Sequence, residues 1–360
     1  MKTQRTILFA CAAIACTAML SGCTKDGFNG HGKAIQFRAS AGTATKAAYG
    51  ILSTDGKTQA IDWAVGDKIN IASAEATVQN GTGHVALYKV AEITTPSSAA
   101  DVKSIGKLEL GGANGLMWPD EDPATGYDFF AVYPDLAITE AGLVTASVTN
   151  PGTLSGTTTN KYLKADGSAT TEGAADVAYT YKVYEPSLAA MPMTAAAHVA
   201  KSGNGVTLPF NPAFTALEFN LTSADDDFSV SKVELLGVDA DKLAGEFKMT
   251  AGNLGSVDPT TAESSIAMVL NDEPLTPNSG VTFTLFMLPK TNTGIIRLKV
   301  TTDKGTATLP MTDKDKTSAY QFEAGKKYRI NMLKLGGQWK IVIAPILMPW
   351  EDGEEVILYI

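Results

Sequence analysis

Apolar and polar residues alternate along most of this chain with the two-residue period that is typical of half-buried β-strands. The clearest runs are residues 127–133, 217–221, 281–288, 296–300 and 327–332. Clusters of Gly, Asn, Asp and Pro separate such runs, as turns between strands require. The best candidate for a helix is 260–270, and its apolar spacing is poor. The pattern therefore predicts an all-β protein of β-sandwiches with Greek-key connections.

The domain organisation follows from the length and from two polar stretches. A chain of 360 residues is long enough for two domains of ordinary size. Residues 147–173 are rich in Thr, Ser and Gly, which predicts a long surface excursion within the first domain. A second small and polar stretch near 195–204 predicts the boundary, with an N-terminal domain at 23–195 and a C-terminal domain at 196–360.

The first residues have the pattern of an export signal. Lys2 and Arg5 precede an uncharged, apolar run over 7–20. That run is shorter than the roughly 20 apolar residues that a transmembrane helix needs. We therefore expect residues 1–22 to be a signal peptide that is removed from the mature protein.

The end of this signal resembles the lipobox of bacterial lipoproteins, in the sequence Leu20-Ser21-Gly22-Cys23. The resemblance implies that the Cys23 thiol is lipidated, for example with palmitate, and anchors the chain in outer-membrane lipid. An ordinary secretory signal with an incidental cysteine is the alternative. Cys11 and Cys16 lie within the removed segment, so the mature chain is expected to hold no disulfide and no cysteine-ligated metal.

Composition excludes several functional classes. The chain has 38 acidic and 29 basic side chains, for a net charge of −9, which disfavours nucleic acid as a partner. Its three His residues have no ligand spacing, and no nucleotide-binding, zinc-protease or serine-hydrolase motif is present. We therefore predict no enzyme activity and no catalytic, cofactor-binding or metal-binding residues.

Two acidic runs and four tryptophans have simple structural interpretations. The runs at 225–227 and 351–355 could supply oxygen ligands to Ca²⁺, but solvated turns are the favoured interpretation. The tryptophans could form platforms for sugars, but tryptophans beside strands are more often part of a core. They are Trp63, Trp118, Trp339 and Trp350.

Several short motifs, taken in their order along the chain, resemble the fimbrillin family of Bacteroidetes, the type V pilins. The motifs are IQFR at 35–38, TKA at 45–47, WAVGD at 63–67, YDFFAVYP at 127–134, PMTA at 192–195, VTLPF at 206–210 and FEAGKKY at 322–328. The resemblance implies two tandem transthyretin-like β-sandwich domains and a surface lipoprotein. It also implies assembly with other pilin subunits by donor-strand exchange, after a trypsin-like protease removes the first strand.

The resemblance assigns the removable first strand to about 34–46, with Lys46 as the residue before the cut. The family typically has Arg at this position, and Lys does not reproduce the bidentate contacts of a guanidinium. Arg38 is the alternative processing residue, although a cut there would split the strand itself.

The C-terminal segment, about 339–360, is the expected donor. Its last five residues are apolar on both faces, which is unusual for a free terminus. Donation would place Val356, Leu358 and Ile360 in the groove of a neighbouring subunit, and the alternative keeps this strand in its own domain.

These observations predict a stalk subunit of an adhesive fimbria at the surface of the outer membrane. Two alternatives stay open at this point. One is a non-polymerising surface lipoprotein that binds glycans through tandem β-sandwich domains. The other is a glycoside hydrolase with a carboxylate pair that the sequence does not nominate.

Overall fold

The computed structural model describes residues 33–41, 49–52, 59–79, 81–94, 104–119, 126–154, 158–164, 169–201, 205–223, 227–238, 241–289, 294–312, 318–335, 338–346 and 356–358. These residues form strands, turns and loops, and none of them is helical. The prediction of an all-β chain is therefore confirmed. None of the described residues forms a helix that is long and apolar enough to cross a bilayer.

The strands are numbered in chain order. In the first half they are β1 Phe37–Ala41, β2 Tyr49–Leu52, β3 Gln59–Ile61, β4 Lys68–Ala72, β5 Thr77–Val78, β6 Val85–Thr94, β7 Ser104–Leu110, β8 Leu116–Met117, β9 Tyr127–Tyr133, β10 Leu143–Val148, β11 Thr158–Leu163, β12 Ala169–Thr170 and β13 Tyr179–Tyr184. In the second half they are β14 Met193–Val199, β15 Val206–Pro212, β16 Thr215–Ser223, β17 Phe228–Leu236, β18 Ala244–Thr250, β19 Asp258–Glu263, β20 Ser265–Leu275, β21 Ser279–Met287, β22 Arg297–Thr302, β23 Gly305–Pro310, β24 Lys327–Leu335, β25 Gln338–Ile346 and β26 Val356–Leu358.

The first hydrophobic cluster lies within a closed sheet of seven strands, in the order β1-β15-β14-β9-β4-β6-β7, with β7 returning to β1. Alternate side chains of these strands point inward, as the period of two requires. A three-stranded sheet, β10-β18-β19, packs its apolar residues against the same cluster, through Val144, Ala146, Phe247 and Met249.

The second cluster lies between an eight-stranded and a four-stranded sheet. The strand orders are β12-β11-β13-β21-β16-β24-β25-β26 and β20-β17-β22-β23. Phe219 of β16 and Phe283 of β21 stack with ring centroids 5.3 Å apart in this cluster. Because the face of β16, β21 and β24 that bears these residues is buried, the alternate residues of the same strands form the opposite face.

Strand β21 contributes to both clusters. Phe283 and Leu285 lie in the second cluster, whereas Phe286 and the following Leu288 lie in the first. Phe286 packs edge-to-face on Phe214 at 5.3 Å. The strand is consequently apolar on both faces where the two clusters approach each other, as its sequence shows.

The five alternating runs of the sequence are confirmed as strands, in β9, β16, β21, β22 and β24. The helix candidate at 260–270 is instead formed by β19 and β20, since the pairings with β18 and β17 decide its conformation. The polar stretch at 147–173 contains β11, which pairs with β13, and β13 pairs with β21 of the second cluster's sheet. This polar stretch is therefore joined to the eight-stranded sheet and not to the closed seven-stranded sheet.

The predicted boundary between residues 195 and 196 stays a prediction, and the residues on both sides of it lie in a strand. Strand β14 runs through positions 195 and 196, and β15 is part of the closed sheet. Ala216 belongs to the first cluster and Leu217 to the second, and later strands contribute to both clusters. The small residues near 195–204 resemble a linker in composition, but those of β14 pair in full with β9. The tandem transthyretin-like organisation stays a prediction.

Candidate functional site

The first strand closes the seven-stranded sheet. It pairs antiparallel with β7, where Arg38 faces Lys107, and parallel with β15, where Arg38 faces Thr207. Two contacts extend this pairing before β1 begins: the Ile35 amide donates to the Leu116 carbonyl at 3.1 Å, and the Val206 amide donates to the Gln36 carbonyl at 2.8 Å. We call the space between β7 and β15 that residues 35–39 fill the β1 slot.

Alternate side chains of this segment fill the interior of the β1 slot. Ile35, Phe37 and Ala39 are each 5% exposed or less, whereas Gln36 and Arg38 face outward and are exposed. Full burial of a side chain such as Ile or Phe stabilises a fold by about 1.5–3 kcal/mol. The β1 slot therefore has two large positions and one small position, and all of them are apolar.

Aromatic rings form the floor beneath Phe37. The Phe37 ring meets Tyr88 at 5.0 Å and Phe129 at 5.3 Å between ring centroids, both in edge-to-face geometry. The Tyr88 hydroxyl accepts a hydrogen bond from the Leu116 amide at 2.8 Å. Burial raises the pKa of Tyr88 to about 12, against the smaller opposing effect of that bond, so the phenol stays neutral.

One glycine permits the close approach of β15 to the segment before β1. Gly205 has a φ of +79°, a conformation that side chains with a Cβ rarely adopt. A Cβ at this position would lie 2.6 Å from the Gln36 carbonyl oxygen. Gly205 thus starts β15 at the position from which Val206 can donate to that same carbonyl.

The predicted site residues fall at different distances from this slot. Arg38 is the second residue of β1, its side chain is exposed, and its backbone is paired on both sides. Cys23, Lys46 and Ile360 lie outside the described residues. Val356 and Leu358 are the first and last residues of β26, which pairs with β25 through three positions.

Of the other candidate groups, Trp63 and Trp118 are buried in the first cluster at 2% and 3% exposure, which confirms their interpretation as core residues. Trp350 and the side chain of Trp339 lie outside the described part of the chain. No group of three His, Cys, Asp or Glu side chains among the described residues is placed to hold a metal ion. Most of the two acidic runs also lies outside the described residues.

Sequence reasoning did not identify the walls of the β1 slot. Tyr88, Phe129 and Val206 line it, and they come from positions far from β1 in the chain. The alternation of 127–133 does indicate that Phe129 faces a core. Nothing in that alternation indicates that β1 is the strand against which it packs.

The fold and site define a class: an all-β protein whose closed sheet is completed by its own first strand. A family model described as fimbrillin-like matches residues 45–350, and the chain belongs to this family. The resemblance drawn from the sequence motifs is thereby confirmed. Family membership supports a structural, non-enzymatic role in a fimbria at the cell surface.

The chain is also similar to several solved structures at low identity. One is a cell adhesion protein of Bacteroides ovatus, with 14% identity, a TM-score of 0.49, and coverage of 89% of this chain and 99% of that chain. A fimbrial assembly protein of Parabacteroides distasonis has 13% identity, a TM-score of 0.46 and coverage of 90% and 99%. The tip fimbrial protein Mfa3 of Porphyromonas gingivalis, with a C-terminal truncation, has 10% identity, a TM-score of 0.43 and coverage of 87% and 99%. No curated protein matches the chain.

Proposed function

We propose that this protein is a stalk subunit of a surface fimbria and polymerises by protease-triggered donor-strand exchange. The observation that supports this most directly is the β1 slot. Its occupant is paired on both sides and buries Ile35, Phe37 and Ala39. Removal of that occupant would leave two unpaired strand edges and an open apolar cleft.

Donor-strand exchange would follow from the unfavourable free energy of an empty β1 slot. Unpaired backbone groups and exposed apolar surface both favour the addition of another strand. A strand from a second subunit would supply ladder hydrogen bonds and alternating side chains, which is the physics of β-augmentation. Because donor and acceptor surfaces differ, the contact is head-to-tail and generates fibres when it does not close into a ring.

The proposed donor is the segment 339–360, with Val356, Leu358 and Ile360 entering the slot. The pairing of β26, the last described strand of this segment, supports donation by Val356 and Leu358. Strand β25 pairs with β24 at nine positions, whereas β26 pairs only with β25 and is the last strand of the eight-stranded sheet. Release of β26 would therefore break one short ladder.

The pairing of β1 favours Lys46 over Arg38 as the processing residue. A protease binds its substrate as an extended strand and must reach the backbone on either side of the cut. The backbone around Arg38 is already paired with β7 and β15. A cut after Lys46 would release the whole of β1, whereas a cut after Arg38 would leave half of it in place.

Lipidation at Cys23 would hold the unprocessed chain in the outer membrane until a trypsin-like protease acts. Cleavage after Lys46 would then remove the anchor and β1 together. Release from the lipid and opening of the β1 slot would be one event.

The test compares Lys46→Ala with Lys33→Ala in cells that make fimbriae. Lys33 precedes the slot-filling segment, so cleavage there would leave β1 in place and the substitution serves as a matched control. We expect sheared wild-type fibres to begin at Ala47 by N-terminal sequencing, and we expect Lys46→Ala to abolish fibres while Lys33→Ala does not. Fibres from the Lys46→Ala chain, or subunits that begin at Cys23, would contradict the proposal.

A further inference from the structure

A polar pocket of about 340 Å³ lies on the eight-stranded sheet, away from the β1 slot. Its walls come from five strands, β11, β13, β16, β21 and β24, and include Lys161, Tyr181, Glu218, Asn220, Arg329 and Asn331. We call it the sheet pocket. The volume lies within the range of about 300–1,000 Å³ that small-molecule sites occupy.

Strand register places these residues on one face. Lys161 of β11 faces Tyr181 of β13, and Asn220 of β16 faces Asn331 of β24. Glu218 faces Arg329 two residues earlier along the same two strands. The alternate residues of β16 and β24 lie in the second hydrophobic cluster, so this polar face is the opposite side of the sheet.

A triad of ionic side chains, Glu218, Lys327 and Arg329, includes two of the residues that line the sheet pocket. The Glu218 carboxylate contacts the Lys327 ammonium, and the Arg329 Nε donates to Glu218 Oε1 at 2.8 Å. Burial by itself raises the pKa of Glu218, but the two cations outweigh it and hold that pKa well below its usual range. Two positive charges therefore accompany one negative charge at this position.

Lys161 adds a third cation. Within the described part of the chain, its ammonium has no carboxylate within salt-bridge distance. Burial lowers the pKa of Lys327, Glu218 opposes this, and the positive charges of Arg329 and Lys161 add to the lowering. The sheet pocket is thus locally cationic on a chain whose net charge is −9.

Hydrogen-bond donors are in excess in the sheet pocket. The Arg329 side chain bonds through Nε to Glu218, and this is the one hydrogen bond that its guanidinium makes to the described residues. Its terminal amino groups and the Lys161 ammonium therefore have donor capacity to spare. Such a surplus calls for a ligand that is anionic and rich in acceptor oxygens.

The amide groups add recognition of hydroxyls. The Asn220 Nδ2 donates to Asn331 Oδ1 at 2.8 Å, and the Thr282 hydroxyl donates to Asn220 Oδ1 at 2.7 Å. Each of these amides can make further bonds, because an amide has two N–H donors and two acceptor lone pairs. Fixed amides next to a cationic patch suit a molecule with hydroxyl groups as well as a carboxylate.

We propose that the sheet pocket binds an acidic sugar residue, with Lys161 and Arg329 at its carboxylate and the Asn220–Asn331 pair at its hydroxyls. This activity goes beyond assembly of the fibre. It rests on residues that neither the β1 slot nor the proposed donor strand uses, so it stands or falls independently of polymerisation.

The test is a ligand titration of the full chain, followed by saturation-transfer NMR. The probes are D-glucuronate, its neutral counterpart D-glucose, and acetate. We expect glucuronate to bind at least about ten-fold more tightly than either of the others, since one charge-assisted contact is worth about 1.5–3 kcal/mol and 1.4 kcal/mol is ten-fold. Equal binding of glucose overturns the charge assignment, equal binding of acetate overturns the sugar assignment, and no binding of glucuronate overturns the whole proposal.

Two lysines three residues apart, Lys161 and Lys164, give a matched pair of variants. Lys161→Gln removes the unpaired cation of the sheet pocket and is expected to weaken glucuronate binding about ten-fold or more. Lys164→Gln makes the same change in net charge at a residue that bonds Asp176 at 2.8 Å and does not line the pocket. We expect that control to bind glucuronate as the wild type does. Equal weakening by both variants would show only long-range attraction and would overturn the proposed contact.

Discussion

The first and last described strands, β1 and β26, differ in how firmly the fold holds them. Strand β1 pairs with β7 and with β15, and the segment that it belongs to buries three side chains. Strand β26 is three residues long and pairs through one edge with β25. A strand held like β1 leaves a costly opening when it is removed, whereas a strand held like β26 can leave at little cost.

This contrast is what the proposed donor-strand exchange requires of a chain that acts as both acceptor and donor. The acceptor site must be well formed, so that its opening drives the capture of another strand. The donor strand must be weakly attached, so that its capture by a neighbour does not require a large rearrangement of the sheet that it leaves. The pairing of β1 and of β26 fits these opposite requirements.

The largest expected effect on stability comes from truncation of Phe37, the buried ring of β1. Phe37→Ala removes a ring that contacts Tyr88 and Phe129, and truncation of a buried Phe costs about 3–5 kcal/mol of unfolding free energy. Chemical denaturation of the unprocessed chain measures this. Arg38→Ala is the control on the same strand, since its side chain is exposed and we expect little change. Equal losses for the two variants would contradict the description of β1.

Phe37→Ala also separates the two states of the protein. If β1 is removed before assembly, fibres made from the Phe37→Ala chain should dissociate at the same denaturant concentration as wild-type fibres. Weaker fibres from this variant would mean that β1 stays in the assembled subunit.

A second prediction concerns the strands to which the C-terminal segment is attached. Glu218→Gln removes the carboxylate that contacts the buried Lys327 ammonium, and breaking a buried ion pair in this way costs about 3–5 kcal/mol. We expect lower stability by chemical denaturation at pH 7. A Glu218→Gln chain as stable as the wild type would show that the ion pairs of Glu218 with Lys327 and Arg329 do not stabilise the pairing of β16 with β24.

The pH dependence of the stability of the same variant tests the direction in which the pKa of Glu218 is shifted. The native pKa of Glu218 lies below its usual value of 4.5, so its stabilising effect is complete above pH 4.5 and is lost as the pH falls below it. The difference in unfolding free energy between wild type and Glu218→Gln should therefore narrow progressively below pH 4.5. A difference that widens on acidification would contradict this assignment.

The smallest expected effect on stability comes from the proposed donor. Deletion of residues 351–360 removes β26 and its single short ladder, and we expect the free energy of unfolding to change by less than about 1 kcal/mol. The deletion variant should stay folded and soluble but fail to extend a polymer. Unfolding of the C-terminal sheets, or polymerisation as efficient as that of the full chain, would contradict the donor assignment.

The sequence predicts the strands better than it predicts their neighbours. Alternation identifies β9, β16, β21, β22 and β24, because each has one or both faces in a hydrophobic cluster. Strand β11 has no apolar alternation, since most of its residues are exposed, and it is recognisable only from its pairing with β13. Local pattern alone therefore misses strands at the edges of the sheets.

At the candidate site, too, the sequence predicts the strand but not the strands with which it pairs. The motif at 35–38 indicates a short strand, and its resemblance to a family indicates that the strand is removable. The pairing of β1 with β15, about 170 residues later, decides that the strand closes a sheet. No periodicity carries that information, because register between distant strands depends on the whole closed sheet.

The most direct test of donor-strand exchange is a disulfide between subunits in assembled fibres. The outward positions are used, so that the core is undisturbed: Thr207→Cys on β15, which faces Arg38 of β1, and Ile357→Cys between the proposed inward residues Val356 and Leu358. The control pair joins Ile357→Cys to Thr308→Cys, an exposed threonine on β23 of the second cluster's sheet. We predict that oxidised fibres of the first pair run as covalent multimers and those of the control pair as single subunits. Fibres of the first pair that stay uncrosslinked, or that crosslink no more than the control, would contradict the claim that a neighbour's C-terminal strand fills the β1 slot.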